Sequence, residues 1–157
     1  MVGSFAHKTE LVDSMKVTFE AITFAEVEEV SAEMFRKNVY FTAFSRSYWS
    51  QMTIASPRFN ARLSMYVIPN LVEVLFANAY GGKKFSAEEK EAKMKDLVGE
   101  VLNIFGGYFM QKIQAASGDF KLGFPVNAKG FKELPEDSVI VYYLIEDAYP
   151  LIVTIVH

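Results

Sequence analysis

Polar and apolar positions between residues 86 and 118 repeat with the period of a helix. Met94, Leu97, Val98, Val101, Phe105, Tyr108 and Phe109 recur at threes and fours, which at about 100° per residue predicts one buried face. The opposite stripe carries Asp96, Glu100, Asn103, Gly107 and Gln111, each three or four residues from the next. Ser86 followed by Glu89 has capping-box spacing and marks the start, and Gly118 is the expected stop. This stripe is costly to the helix. Asn competes for local backbone groups, and Gly106 with Gly107 gives up about 2 kcal/mol of intrinsic propensity relative to Ala. A missing Cβ lets another backbone, a ligand or a protein approach closely, so the pair marks either a helix crossing within the fold or an interaction surface.

The rest of the chain alternates strand-like and helical runs. Leu11, Met15, Phe19 and Ile22 predict an amphipathic helix from Lys8 to Phe24, and Val27 to Ser31 reads as a short strand. Val39 to Thr42, Tyr48 to Ile54 and Ala61 to Val67 are rich in β-branched and aromatic residues, with Ser56-Pro57 as a turn between the last two. Pro69 opens a second helix with Leu71, Val72, Val74, Leu75 and Phe76 on its apolar face, closed by Gly81-Gly82. Beyond the long helix, Phe120 to Phe124 predicts a strand, and Pro125 to Asp137 is turn-rich. Ser138 to Leu144 and Leu151 to Val156 predict strands around a turn from Glu146 to Pro150. The expected fold is α+β, a single domain over residues 1–157 in which an antiparallel-rich sheet packs with two or three helices.

Composition narrows the chemistry. Half of the chain is hydrophobic, with 14 Phe and 8 Tyr, which suffices for a core without metal or disulfide support. A net charge of −3 and scattered lysines give no basic field for nucleic acid. There is no Cys, so thiol chemistry is excluded, and the longest apolar runs are too short to span a bilayer. The N-terminal residues carry no signal-peptide core, so a cytoplasmic location is expected. The two histidines, His7 and His157, lie near the two ends and offer no internal general base. Gly81-Gly82-Lys83-Lys84 lacks the spacing and the following hydroxyl of a phosphate loop, and is read as a helix terminator. Asp96 and Glu100 are read as solvated carboxylates, so no metal site is assigned. Trp49, beside Tyr48, is assigned to strand packing.

The pattern Asp96-x-x-x-Glu100-x-x-Asn103, followed by a strand and Pro125, resembles the signature of the CheX/CheC/FliY chemotaxis phosphatases. The order of elements is similar along nearly the whole chain, and one signature helix makes it look like the single-site CheX form. The chain departs from the pattern in having Ile104, Phe105, Tyr108 and Phe109 where the family tends to small residues, and in placing Pro125 about one residue nearer than usual.

The resemblance implies a CheC-like fold and hydrolysis of the phospho-aspartate of a CheY-like response regulator. Asn103 would orient the attacking water, and Glu100 would pair with the receiver's active-site lysine. Asp96, Gly107 and Gln111 would complete the partner-facing surface. No cofactor of its own is implied, since Mg²⁺ comes with the receiver, and a homodimer is expected, with the strands of Tyr48 to Val67 and Ser138 to Val156 supplying its edge surface. The alternative is a module that binds a receiver without turnover.

Overall fold

The longest element starts and stops where its terminal residues dictate. In the computed structural model, which describes residues 5–23, 25–38 and 40–157, helix α4 runs Ala87–Ser117. The Ser86 hydroxyl accepts from the Glu89 amide at 3.1 Å, satisfying one orphan donor of the first turn. At the other end Gly118 adopts φ 84 and ψ −174, a region that essentially only glycine enters, while its amide donates to the Gln114 carbonyl. Two further helices pack on α4: α1 (Lys8–Thr23) and α3 (Pro69–Tyr80). No helix among the described residues is long and apolar enough to cross a membrane.

Among the described residues, seven strands form one antiparallel sheet: β1 (Val27–Val30), β2 (Tyr48–Ala55), β3 (Ala61–Val67), β4 (Lys121–Leu122), β5 (Val126–Lys129), β6 (Val139–Ile145) and β7 (Tyr149–Val156). Their order is β1-β6-β7-β3-β2-β4, with β5 also paired to β2. Register places Tyr48, Val67, Leu151 and Tyr143 in one row and Met52, Leu63, Ile155 and Val139 in another. The pleat turns both rows toward the helices. The Tyr48 hydroxyl donates to Glu91 Oε2 of α4 at 2.8 Å, and burial followed by that carboxylate raises its phenol above the usual range. Tyr143, fully buried, reaches the Leu11 carbonyl of α1.

The opposite sheet face is covered by shorter pieces. Helix α2 (Ala32–Lys37) places Phe35 4.7 Å from the Tyr142 ring, and Phe44, from the 3₁₀ turn Tyr40–Arg46, stacks on Phe35. Lys132 lies over the Trp49 ring at 3.8 Å.

Several expectations change. The predicted strand from Val39 to Thr42 is instead part of the 3₁₀ turn from Tyr40, with Val39 outside the described residues, as is Phe24 at the end of the first predicted helix. Within that turn Phe44 is buried without any strand pairing, so burial rather than extended pairing explains it. Helix α2 was not expected; its six residues bury only Phe35 and are too few for periodicity to appear. The strand predicted over Phe120 to Phe124 shrinks to Lys121–Leu122, while the turn-rich stretch after it contains β5. Tyr108 is half-buried, at the border of the apolar face. The strands assigned to dimer edges are interior: β2, β3, β6 and β7 are each paired on both sides, leaving β1 and the β4–β5 line as the edges.

Gly118→Ala should destabilise the protein by about 1–3 kcal/mol, because a Cβ is strained at that φ and would also crowd Pro57 at 3.2 Å. Urea denaturation checks this; an unchanged midpoint would show that the helix stop does not depend on the glycine.

Candidate functional site

The site is assembled by a helix and a broken strand edge. Residues Ile54 and Leu122 pair across β2 and β4, and Gln51 and Val126 pair across β2 and β5. Between these pairs Met52 and Thr53 face three residues, Gly123, Phe124 and Pro125. That extra residue is a β-bulge, which breaks the ladder and re-aims the side chains within it. Gly123 keeps one bond, its amide to the Thr53 carbonyl at 2.8 Å. Pro125 has no amide to donate, and Phe124 is thrown outward with 96% of its surface exposed.

The bulge lies against the polar stripe of α4 and encloses an open groove of about 310 Å³. Asp96, Glu100 and Asn103 line it from the helix, and Phe124, Pro125 and Asn127 from the strand edge. The fold thus brings Pro125 beside the acid and the amide of the signature. A second hollow, sharing Asp96 and Asn127, continues along α4 past Glu91 and Glu88. Gly107 and Gln111 continue the same stripe toward the C-terminus without lining the groove.

Asp96, Glu100 and Asn103 are exposed, and among the described residues their side chains make no hydrogen bond or ion pair. The carboxylates offer only acceptors, whereas the Asn103 amide can accept and donate at once. No group of three or more His, Asp or Glu side chains among the described residues could hold a metal ion. The arrangement suits a surface that meets a partner's charges and positions a small polar molecule.

The two glycines separate cleanly. At Gly106 a Cβ would run into the terminal methyl of Met52, so this position is a close crossing of α4 over β2. At Gly107 a Cβ would meet nothing within 4 Å. The crossing reading therefore holds for Gly106, and Gly107 is left open on the stripe. The bulky residues after Asn103 turn inward: Phe105 and Phe109 are fully buried, and Ile104 lines a small apolar pocket with Ile22 and Leu97.

Sequence reading missed Phe124, Asn127 and Gly99. An aromatic residue directly before a proline that cannot pair was the available signal for Phe124. Gly99, a third glycine inside α4, was the signal for a close approach beside Glu100. Nothing in the sequence pointed to Asn127, whose Oδ1 accepts from Ser50 Oγ at 2.6 Å across the β2–β5 pairing.

No protein-family model matches the sequence, and no curated protein does. Solved structures do match over nearly the full length. The chemotaxis protein CheX of Vibrio vulnificus superposes with a TM-score of 0.73 at 14% identity, covering 96% of this chain and 95% of that one. A Borrelia burgdorferi CheX, solved in complex with CheY, BeF₃ and Mg²⁺, gives 0.70 at 14% identity, with 97% of each chain covered. A CheC-like protein from a Shewanella species gives 0.67 at 14% identity, covering 99% of this chain and 100% of that one. The antiparallel sheet and the long helix therefore form the fold of the CheX and CheC-like chemotaxis proteins.

Proposed function

We propose that the protein is a CheX-like phosphatase acting on the phospho-aspartate of a CheY-like response regulator. The observation that carries this reading is the meeting of Glu100, Asn103 and Pro125 in one open groove, the acid and the amide without polar partners among the described residues, on an architecture that in Borrelia burgdorferi is seen in complex with CheY. A receiver already supplies the acyl phosphate and its Mg²⁺, so its partner chiefly has to place a water in line with phosphorus. Asn103 holds that water through its carboxamide. Glu100, in no ion pair among the described residues, meets the receiver's active-site lysine, and Asp96 adds negative charge on the same side. Phe124 rims the groove as an apolar anchor, an aromatic residue of a type enriched at protein interfaces. Gly107 and Gln111 extend the contact, and the reaction belongs in the cytoplasm with the receivers.

Phosphate release from a phosphorylated CheY-like receiver tests the reading. Wild type should accelerate it; Asn103→Ala should lose about 100-fold or more of that acceleration with an unchanged melt and near-wild-type affinity. Glu100→Ala should lose affinity as well. Receiver binding without accelerated release would instead establish a binding module.

Gly107→Ala should melt no lower than wild type and gain up to about 1 kcal/mol, because the helix there has room for a methyl. It should nevertheless bind the receiver several-fold more weakly, since the new methyl lies on the docking stripe. Lower stability with full activity per folded molecule would contradict that placement.

A homodimer belongs to the same proposal. Light scattering at micromolar concentration should give twice the 17.7 kDa chain mass, and a purely monomeric species would remove this part of it.

A further inference from the structure

Gly99 is buried beside Glu100, and its missing side chain is occupied by something specific. A Cβ there would lie 2.5 Å from Nδ2 and 2.7 Å from Cγ of Asn127. The Asn127 amide therefore rests flat on the helix only because residue 99 is glycine. Across the β2–β5 pairing, fully buried Ser50 donates to Asn127 Oδ1 at 2.6 Å. Helix and strand together clamp this amide, as the Ser50 bond alone would not. With Oδ1 engaged, Nδ2 has no hydrogen-bond partner among the described residues.

The groove is short of donors. Of the side chains lining it, only Asn103 and Asn127 carry N–H groups, while Asp96 and Glu100 are acceptors when ionised. A phosphoryl group entering there brings three negatively polarised oxygens toward two carboxylates. The receiver's Mg²⁺ and lysine face part of that charge, and an N–H of the groove can face an oxygen turned toward the carboxylates. Gly99, against which Asn127 rests, and Asn103 are four residues apart, about 6 Å along one helix face, so the two amides can flank one phosphorus centre.

We propose that Asn127 is a second amide of the site, whose Nδ2 binds a phosphoryl oxygen of the receiver while Asn103 holds the water. This rests on the receiver reading given above. The clamp by Ser50 and Gly99 fixes the amide before the partner arrives, so little ordering is left to be done on binding.

The test is calorimetric titration of the full chain with a CheY-like receiver carrying beryllofluoride and Mg²⁺, and with the same receiver and Mg²⁺ alone. Asn127→Asp keeps the size of the side chain and an acceptor for Ser50, but replaces the donor with a charged oxygen. Gly99→Ala carries no charge change and displaces the amide from its rest. In both variants the preference of the protein for the beryllofluoride form over the unloaded form should fall by about tenfold or more, equivalent to about 1.4 kcal/mol. Melting curves check that each variant is folded. An undiminished preference in the folded variants, or equal loss toward both receiver forms, would overturn the assignment and show that Asn127 only braces strand to helix. Wild type that binds neither form would instead remove the receiver reading itself, and this inference with it.

Discussion

The crossing of α4 over β2 governs the rest of the structure. Met52 places its terminal methyl where a side chain of Gly106 would stand, which lets the helix sit close to the sheet. About two turns earlier, Gly99 admits Asn127 in the same way. These two contacts hold α4 against β2 and β5 along its middle, and the apolar face from Met94 to Ile113 is buried as a result. Once that face is committed inward, helical geometry leaves Asp96, Glu100, Asn103 and Gly107 no place except the outer surface.

What makes that surface a site is the strand edge laid beside it. A continuous edge strand would present a straight row of unpaired groups, a liability in any sheet. Here the ladder along β2 is interrupted at Gly123-Phe124-Pro125, so the edge bends away and a groove opens against the helix. Among the described residues the groove is lined by acidic acceptors and amides and by no cation. That lining supports the proposed reaction, in which phosphate, metal and lysine come from the other protein.

Much of this was legible in the amino-acid sequence because single residues carry strong local physics. Ser86 and Gly118 bounded α4, Pro69 and Gly81 bounded α3, and β3 was read to the residue. The stripe from Asp96 to Gln111 followed from periodicity alone. Three features escaped for physical reasons. The turn that carries Phe44 resembles a strand in composition, since Phe44 is buried without being paired, and α2 is too short to show a period. The bulge depends on how β4 and β5 register against β2, a relation between residues some seventy positions apart that no local window contains. The Asn127 clamp is likewise tertiary, since Ser50 and Gly99 meet it from two other elements. The propensity cost expected at Gly106-Gly107 divides between two surroundings, one inside the core and one on the surface.

Phe124 and Phe131 provide a direct discrimination, since they are exposed aromatic residues of one type on opposite sides of the sheet, 96% and 73% accessible. Hydroxyl-radical footprinting of the protein, alone and with a beryllofluoride-loaded CheY-like receiver, reports which of them the partner covers. Docking on the polar stripe predicts strong protection of Phe124 and none of Phe131. Protection of Phe131 with Phe124 still reactive would place the receiver on the far face of the sheet and contradict the role given to Glu100 and Asn103.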